Sequence, residues 1–393
     1  MNLINHRFRS WVCAILLVIA PVTGVVWAAP AAVTHQEEPQ TFEVRAESAV
    51  LGDLDTGMLM IEQASDVRRD PASLTKVMTL YLAFDALARG TMTMETKLLV
   101  SERAWRTGGS KTFVKVGDEV SVHDLLMGIA VQSGNDACTV VAEHISGSEK
   151  GFADLMTQKA KQLGMNNSHF TNASGLPEPD HYSSARDMFI LARAIMNDFP
   201  QYVSLFREKQ HTFNGIRQFN RNRLLWRDPH ITGMKTGHTQ TAGYCLIATS
   251  DKDGQRLGTV LLGTKSSKIR EEEALRLLRH GNRLYETVHV YDKGAAVRQF
   301  RVWKGERERV DGIVEKPVLV SVLRRDRGKI ESGLTYNDPI VAPLNQGDRL
   351  GTLTVRMGNQ EIMSAAVVAA QKIEPAGFFG RLADSVRMYF GWQ

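Results

Sequence analysis

Apolar residues along the first two thirds of the chain follow two different periods. Short runs at Ser48–Leu54 and Met58–Ile61 flank the polar turn Asp55–Gly57, which predicts a β-hairpin. Apolar residues then recur every three or four positions, the spacing of a helix with one buried face. The segments with this spacing are Val120–Val131, Asp136–Ile145, Glu149–Leu163 and Ala185–Met196, and the nearly continuous apolar run Val77–Leu87 before them is also helix-like. The sequence therefore predicts a hairpin followed by a block of helices.

The strand pattern returns after this block. Two short runs flank Asn214-Gly215, a dipeptide typical of tight hairpin turns. The segments predicted from here on are strands at His211–Phe213, Ile216–Phe219, Ile231–Thr236, Ala242–Ser250 and Leu257–Gly263, and a helix at Lys268–Tyr285. This order of strands, helices, strands and a final helix favours one sheet whose first and last strands meet, with a helical subdomain inserted.

From about Val288 the chain shows only short β-like runs separated by turns rich in Gly, Asp and Asn. The runs are Val297–Trp303, Val318–Leu323, Leu350–Val355 and Ile362–Val368. This pattern predicts a small second domain of the all-β class. It contains no cluster of residues typical of a catalytic site, so a role as a spacer or scaffold is expected.

The last segment is amphipathic. After Pro375-Ala376-Gly377, large apolar residues fall on one face of a predicted helix, and Arg381, Asp384 and Arg387 fall elsewhere. The apolar residues are Phe378, Phe379, Leu382, Val386, Tyr389 and Phe390. Such a helix is too short and too charged to span a bilayer, and we expect it to lie in a membrane interface. The alternative is a helix docked on its own protein or on a partner.

The N-terminus predicts export. Arg7 and Arg9 precede the uncharged apolar run Trp11–Ala29, and small residues follow, which is typical of a secretory signal peptide. The run is nearly long enough to span a membrane, so an uncleaved anchor is the alternative. Pro30 leaves the cleavage site open.

Composition excludes several classes of protein. The chain has 393 residues, of which 43% are hydrophobic and 23% charged, so disorder or a repeat solenoid is not expected. Its net charge of +5 suits an anionic partner such as a membrane surface, but the absence of a long basic run argues against nucleic acid. Cys138 and Cys245 remain after Cys13 leaves with the signal. An exported compartment permits a disulfide between them, although apolar surroundings favour two buried thiols. No Cys-x-x-Cys motif or clustered His predicts a metal.

Candidate chemistry begins at Ser73 and Lys76, at the front of the first predicted helix. Residues three apart share a helix face, so the hydroxyl and the amine point the same way. A serine becomes nucleophilic when a neighbouring base takes its proton, and a lysine near apolar surroundings has a pKa low enough to be that base. Such a pair also arises by chance at a helix start. Two further motifs support the catalytic interpretation.

Ser133-Gly134-Asn135 lies at the break between two predicted helices, where it offers a hydroxyl for proton transfer and an amide for holding substrate. Lys235-Thr236-Gly237 lies late on a predicted strand, and a strand edge pairs with an extended peptide. Lys235 and Thr236 are suited to an anionic group, and Gly237 permits close approach. Each motif occurs once, in the order S-x-x-K, S-x-N, K-T-G.

With these motifs the chain resembles the low-molecular-mass penicillin-binding proteins, serine-type D-Ala-D-Ala carboxypeptidases similar to peptidase S11. The resemblance extends over Asp66–Lys76, Ser133–Ala137, Ser184–Asp187 and Lys235–Thr239 and covers essentially the whole mature chain. The second motif is Ser-Gly-Asn rather than Ser-Asp-Asn, which favours the carboxypeptidase branch over β-lactamases.

The resemblance implies a fold of α/β plus all-β class. A DD-peptidase-like domain, with an antiparallel sheet and a helical subdomain, is followed by a small β-sandwich-like domain and an amphipathic C-terminal helix. The expected boundaries are 1–29 for the signal, 36–286 for the catalytic domain, 288–374 for the β-domain and 376–393 for the helix. The implied location is the periplasmic face of the inner membrane.

The resemblance also implies roles at the site. Ser73 attacks the carbonyl between two terminal D-alanines of a peptidoglycan pentapeptide, with Lys76 as its base. Ser133 passes a proton to the leaving amine, and Asn135 positions Lys76 or the substrate amide. The backbone N–H groups of Ser73 and His238 form the oxyanion hole.

The terminal carboxylate of the substrate is expected to bind Lys235 and Thr236, helped by Arg221. No cofactor is implied. A β-lactam would mimic the dipeptide and acylate Ser73. The expected biological role is in cell-wall synthesis or remodelling and in cell shape.

One segment departs from the pattern of some relatives, which carry a histidine where Asn172–Leu176 has Ser174, so any role of that position in deacylation is in doubt. A β-lactamase is one alternative, but Glu178–Tyr182 lacks the Glu-x-x-Leu-Asn element of class A enzymes. A D,D-endopeptidase that cuts crosslinks is a second. A membrane-adsorbed scaffold without activity is a third.

Overall fold

The structure, a computed structural model, describes residues 42–390. The predicted signal peptide at 1–29 and the terminal Trp392 lie outside the described residues.

The first domain is built on a five-stranded sheet of order β2-β1-β9-β8-β7. The strands of this domain are β1 Ser48–Asp53, β2 Leu59–Gln63, β3 Lys97–Leu99, β4 Glu119–Ser121, β5 Gln210–Phe213, β6 Ile216–Phe219, β7 Ile231–Thr239, β8 Gly243–Lys252 and β9 Gln255–Thr264. Strand β1 pairs antiparallel with β2 and with β9, where Ser48 lies opposite Leu262. The prediction that the first and last strands meet is confirmed, and β7 is left as an edge strand.

Helices cover both faces of this sheet. The helices are α1 Lys76–Ala88, α2 Glu102–Arg106, α3 Val122–Met127, α4 Asn135–Ser146, α5 Glu149–Gln162, α6 Ala185–Asp198, α7 Leu224–Arg227 and α8 Ser267–Leu284. Gly281 of α8 packs against Leu51 and Leu257, whereas Phe189 of α6 packs against the next residues, Gly52 and Gly258. Because successive residues of a strand face opposite sides, α8 and α6 lie on opposite faces of the sheet.

Helix α1 is the central element of the domain. Its residues from Lys76 to Phe84 are all buried, which agrees with an apolar pattern that runs around most of the helix rather than along one stripe. A short 3₁₀ turn, Ala72–Thr75, leads into it. Ala72 has a φ of 48°, a left-handed conformation that is unusual outside glycine and marks local strain before the helix.

The prediction of a helix over Val120–Val131 was wrong at its start. Val120 lies in β4, opposite Leu98 of β3, and helix α3 begins only at Val122. Ser121 explains the boundary, because its Oγ accepts a hydrogen bond from the backbone N–H of Asp124 and caps the helix.

The second domain is all-β, as predicted. Its strands are β10 Tyr285–Tyr291, β11 Ala296–Trp303, β12 Arg309–Val314, β13 Val318–Leu323, β14 Ile330–Tyr336, β15 Ile340–Val341, β16 Arg349–Met357 and β17 Gln360–Ala369. A six-stranded sheet of order β14-β16-β17-β12-β11-β15 accompanies the pair β10-β13. Buried Phe300, Val320, Leu353 and Val367 share one hydrophobic core. The hydroxyls of Thr56 and Ser321, 2.6 Å apart, connect the two domains.

Helix α9, Phe378–Phe390, ends the described chain. Asp384 accepts a hydrogen bond at 2.7 Å from the backbone N–H of Lys304, which ties one side of the helix to the β-domain. The apolar side chains of its other side are exposed, from Val386 at 44% to Tyr389 at 84%. Among residues 42–390, no helix has both the length and the apolar composition needed to cross a membrane.

Candidate active site

The first motif forms a hydroxyl–amine pair at the start of α1. Ser73 lies in the 3₁₀ turn and Lys76 is the first residue of the helix, so the two side chains project from one turn. The Nζ of Lys76 donates a hydrogen bond to the Oγ of Ser73 at 3.0 Å. Ser73 is half-buried and Lys76 is fully buried. The Ser73 hydroxyl is therefore accessible to a ligand from the solvent side, and the Lys76 amine approaches it from the protein interior.

Burial tunes the amine. Desolvation lowers the pKa of Lys76 from 10.5 to about 8, and the positive charge of Arg221 acts in the same direction. About a tenth of the amine is therefore neutral at pH 7, far more than for an exposed lysine, and the neutral form has a lone pair free to accept a proton. A buried amine beside a hydroxyl is the arrangement that general-base activation of a serine requires.

The loop after α5 supplies the second partner of this amine. The Nζ of Lys76 also donates to the backbone carbonyl of Ser174 at 2.5 Å. Asn172 holds this loop in shape, since its Oδ1 accepts from the backbone N–H of Ser174 at 3.1 Å and of Gly175 at 2.7 Å. Thr79 of α1 adds a bond to the carbonyl of Ala173 at 2.6 Å. The departure noted at position 174 therefore contributes a backbone carbonyl to the site.

His181 fixes the same loop to the 3₁₀ turn. Its Nδ1 accepts from the backbone N–H of Thr171 at 3.1 Å, so its Nε2 carries the proton that it donates to the Oγ1 of Thr75 at 2.7 Å. Burial lowers the pKa of His181 to about 4, which keeps the ring neutral. No local pattern singles out this histidine, because its partner Thr75 lies 106 positions away in the chain.

The second motif places Ser133 in a strained turn. The chain passes through one turn of π-helix, Gly128–Gln132, and Ser133 follows with a φ of 69° in the left-handed region. Such a conformation costs of order 1–3 kcal/mol in a residue other than glycine and is often found at functional sites. Ser133 is 2% exposed, and its Oγ has no hydrogen-bond partner within residues 42–390. A hydroxyl held in this way is available to a bound molecule.

Asn135 and Asp136 organise the wall beside Ser133. The Nδ2 of Asn135 donates to the carbonyl of Gly108 at 2.7 Å rather than to Lys76. The carboxylate of Asp136 accepts from the backbone N–H groups of Thr112 at 2.8 Å and Phe113 at 2.9 Å. The structure therefore places Asn135 at the site with its amide engaged by the 108–113 loop.

The third motif lies on the edge strand β7, directly beside the 3₁₀ turn. Lys235 is 2% exposed, and its Nζ donates to the carbonyl of Thr236 at 2.9 Å. Burial and the nearby Lys76 both lower the pKa of Lys235 well below its usual range. A Cβ placed on Gly237 would lie 3.2 Å from the backbone nitrogen of Ser73, so only a small residue leaves room here. The strand thus brings its backbone alongside the serine.

His238 and Arg221 complete the set of residues predicted from the sequence. The exposed ring of His238 packs on Tyr244, with ring centroids 4.1 Å apart, while its backbone follows Gly237 next to the Ser73 nitrogen. Arg221 is exposed, and its backbone N–H donates to the carbonyl of Val131, just before Ser133. After burial, the positive charge of Arg221 adds to the lowering of the pKa of both Lys76 and Lys235, so the guanidinium acts electrostatically on both amines.

The two cysteines within residues 42–390 are free and buried, so the disulfide that the sequence left open is not formed. Burial raises the pKa of the Cys138 thiol to about 12, which makes it a poor nucleophile. Over the same residues, no group of three or more His, Cys, Asp or Glu is arranged to hold a metal ion.

The cleft therefore combines a serine, a buried amine, an unpartnered hydroxyl and a cationic strand edge. Backbone N–H groups at a turn and at the adjoining strand are suited to an oxyanion, and the cations are suited to a carboxylate. These groups together are capable of acyl transfer from a peptide that ends in a free carboxylate.

Two family models match the chain. Residues 32–266 match the family described as D-alanyl-D-alanine carboxypeptidase. Residues 285–375 match the family described as penicillin-binding protein 5, C-terminal domain. The two matches correspond to the two folded domains.

The chain is also similar to individual proteins of known sequence or structure that carry these names. The chain is 37% identical to D-alanyl-D-alanine carboxypeptidase DacC of Escherichia coli (strain K12) over 370 residues, 92% of each chain. It is similar to penicillin-binding protein 5 from Haemophilus influenzae, with 34% identity, a TM-score of 0.78, and coverage of 84% of this chain and 98% of that one. It is also similar to penicillin-binding protein D2 from Listeria monocytogenes in its cefotaxime-bound form, with 27% identity, a TM-score of 0.57, and coverage of 61% and 98%.

Proposed function

Because this chain belongs to the D-alanyl-D-alanine carboxypeptidase family of serine hydrolases, we propose that it removes the terminal D-alanine from peptidoglycan pentapeptides through an acyl-enzyme on Ser73. The family fixes the reaction as hydrolysis of a D-alanyl-D-alanine bond, and we assign its steps to residues of this chain.

One observation carries this assignment. The Nζ of Lys76 is fully buried and lies 3.0 Å from the Oγ of Ser73, with a pKa lowered by burial to about 8. A lysine in this state accepts a proton from the hydroxyl as the oxygen attacks. The carbonyl of Ser174, 2.5 Å from the Nζ, keeps the amine pointed at the serine.

Acylation begins when Lys76 takes the proton of Ser73 and the Oγ attacks the carbonyl carbon of the penultimate D-alanine. The backbone N–H groups of Ser73 and His238 stabilise the oxyanion, a contribution that is typically worth ~10²–10³ in rate for each donor. Ser133 then relays a proton to the leaving nitrogen. Its buried hydroxyl has no hydrogen-bond partner in the described chain and is therefore free to bond to the substrate. The C–N bond breaks, D-alanine leaves, and an ester on Ser73 remains.

Substrate binding uses the free edge of β7. The peptide pairs with this edge as an added strand, and Asn135 borders its path on the opposite wall. Thr236, Lys235 and Arg221 hold the terminal carboxylate, the group that distinguishes a carboxypeptidase substrate from an internal peptide bond. The strongly cationic surroundings of Lys235 support this role, since a carboxylate would offset two neighbouring positive charges.

Hydrolysis of the ester completes the reaction. Water attacks the ester carbonyl, and the neutral amine of Lys76 is placed to take a proton from it. A β-lactam mimics the D-Ala-D-Ala end and acylates the same serine. The similarity to penicillin-binding protein D2, whose structure is described in a cefotaxime-bound form, supports this part of the proposal. The expected biological role remains cell-wall synthesis or remodelling and cell shape.

We place the enzyme outside the cytoplasm, as a peripheral protein of the periplasmic face of the inner membrane. The signal-like N-terminus and the peptidoglycan substrate support export. Helix α9 supports membrane adsorption, because Phe379 and Tyr389 are 82% and 84% exposed on its apolar side.

Covalent labelling tests the assignment of the nucleophile. We expect a fluorescent penicillin to label the protein, and peptide mapping by mass spectrometry to find the adduct on Ser73. Ser73→Ala should remain folded by circular dichroism and take up no label. Label retained by the folded Ser73→Ala protein would refute the assignment.

A further inference from the structure

A second cleft opens beside the carboxylate end of the site. It has a volume of about 940 Å³ and lies between the segment that precedes β7 and the start of α8. We call it the arginine cleft. Its lining residues are Phe219, Asn220, Arg221, Arg223, Trp226, Arg227, Ser267, Arg270 and Glu271. Arg221 belongs both to this lining and to the proposed carboxylate site, so one side chain borders both spaces.

The cleft is strongly cationic. Four guanidinium groups line it against the single carboxylate of Glu271. That carboxylate is engaged by Arg227 at 3.2 Å and lies 4.0 Å from Arg270. Within residues 42–390, Arg221 and Arg223 form no ion pair with an acidic side chain. The guanidinium groups of Arg221 and Arg223 are therefore available to bind an anion.

Arg270 connects the cleft to the strand that holds the substrate. It is 6% exposed, and its Nη1 donates to the carbonyls of Gly237 at 3.5 Å and Cys245 at 3.4 Å. Its Nε is buried and has no hydrogen-bond partner in the described chain. A buried N–H donor without a partner is costly unless a ligand or water satisfies it.

Two exposed aromatic side chains give the cleft apolar walls. Phe219 is 54% exposed and Trp226 is 48% exposed, although both are large and apolar. The two aromatic rings can pack against the methylene groups of a bound side chain, and the arginines can bind a negative charge at the end of that side chain. Together they fit a short side chain of a few methylene groups that ends in a carboxylate.

From this geometry we propose that the arginine cleft binds an acidic side chain on the leaving D-amino acid. This inference rests on the function proposed above, in which Arg221 holds the terminal carboxylate. The carboxylate and the side chain of the leaving residue share one Cα, so the side chain must depart close to Arg221, where the cleft opens. Among D,D-peptides whose C-terminal residue has a longer side chain than alanine, the cleft should favour those in which that side chain carries a negative charge.

The chemical step is unchanged. The Oγ of Ser73 forms the ester bond as the amide C–N bond breaks, and the proton lost by Ser73 ends on the leaving nitrogen. An acidic D-amino acid is released in place of D-alanine. Water then cleaves the ester and restores the hydroxyl, so no other reactant is needed.

Three synthetic peptides test the cleft. They are diacetyl-L-Lys-D-Ala-D-X with X as alanine, glutamate or glutamine, and the measured quantity is kcat/KM for release of X. Glutamate and glutamine have nearly the same shape, so their ratio isolates the charge. We expect the glutamate peptide to exceed the glutamine peptide by about tenfold, the value of one good charge-assisted hydrogen bond.

Substitutions test whether the preference for glutamate over glutamine arises in the arginine cleft. Arg223→Gln should bring the glutamate-to-glutamine ratio close to one, whereas Arg223→Lys, which keeps the charge, should retain part of it. Arg356→Gln, at an exposed position of β16 in the second domain, removes the same charge far from the cleft and should keep the full ratio. The alanine peptide provides the internal reference for each protein.

The outcomes separate the two proposals. If the alanine peptide is hydrolysed but glutamate is not preferred over glutamine, the arginine cleft is overturned and the proposed function stands. If Arg356→Gln lowers the ratio as much as Arg223→Gln does, the preference reflects overall charge and the cleft is again overturned. If none of the three peptides is hydrolysed, both proposals fall.

Discussion

Gly175 packs against Ala72 so closely that a Cβ on Gly175 would lie 1.9 Å from the carbonyl oxygen of Ala72. This contact joins the loop that carries Ser174 to the turn that carries Ser73. The two segments supply the two hydrogen-bond partners of Lys76, so their separation bears directly on the position of the amine.

Gly175→Ala should disrupt both stability and acylation. The φ of Gly175 is 77°, which already disfavours alanine, and the clash with Ala72 forces the loop away from the turn. We expect a loss of several kcal/mol in the free energy of unfolding, measured with urea, and a slower rate of penicillin labelling.

Gly164→Ala separates the effect of a positive φ from the effect of the close contact with Ala72. Gly164 has a similar φ of 83°, but a Cβ there would meet nothing within 4 Å. Its variant should lose only about 1–2 kcal/mol and label at the normal rate. Equal effects of the two substitutions would show that the contact with Ala72 has no special role.

The pH dependence of acylation should follow Lys76. Its pKa is lowered by burial to about 8, and only the neutral amine accepts the proton of Ser73. The second-order rate constant of penicillin acylation should therefore rise with pH and level off above about 8. A rate that is constant between about pH 6 and pH 9 would contradict Lys76 as the base.

Lys76→Arg serves as the matched variant, since it keeps a positive charge that does not titrate in this range. It should lower the acylation rate by about 10²–10⁴ and abolish the pH dependence attributed to Lys76.

The stability of the protein should depend on pH through His181. The pKa of this ring is lowered from 6.5 to about 4, so the unfolded chain binds its proton at a higher pH than the folded protein does. The contribution is fully present above pH 6.5 and is lost as the pH falls through about 4, with an upper limit of about 3 kcal/mol.

His181→Gln should remove this part of the pH dependence when unfolding by urea is compared near pH 7 and near pH 4. Burial also lowers the pKa of His211 and His280, so the pH effect of His181 is taken as the difference between the wild-type protein and the variant. His230→Gln, at an exposed position, is the control and should behave as the wild-type protein does. The same slope in the wild-type protein and in His181→Gln would refute a buried neutral ring.

Much of the fold was predictable because the apolar spacing within each segment indicates whether that segment forms a helix or a strand. The hairpin around Asp55–Gly57, the helices α4, α5 and α6, and the all-β second domain follow from the spacing of apolar residues. The pairing of β1 with β9 followed from the order of the elements. The short strands β3 and β4 were not predicted, because three residues are too few for their apolar spacing to distinguish a strand from the start of a helix.

The candidate site was predictable only where side chains in sequence motifs supply the groups. Ser73, Lys76 and Lys235 are such residues, and the structure brings them together. Ser174 acts through its backbone carbonyl, which any residue would provide, so no residue type reveals it. His181 reaches Thr75 only through tertiary packing. The left-handed turn at Ser133 arises from a π-helical turn that apolar spacing does not show.

Helix α9 should hold the protein at membranes. Removal of 377–393 should leave D-alanine release unchanged and abolish sedimentation with vesicles of mixed neutral and anionic lipids, because the exposed apolar side chains bury in the interface. Phe379→Glu places a charge on the apolar side and should weaken binding strongly. Arg381→Gln makes the same change in net charge on the other side and should weaken it much less. Unchanged sedimentation of the shortened protein would rule out this anchor.

Release of D-alanine from a pentapeptide that ends in D-Ala-D-Ala tests the central claim most directly. The protein without residues 1–29 should release one D-alanine per peptide, and Ser73→Ala, folded to the same extent by circular dichroism, should release none above background. Release by Ser73→Ala at a rate close to that of the wild-type protein would contradict Ser73 as the nucleophile.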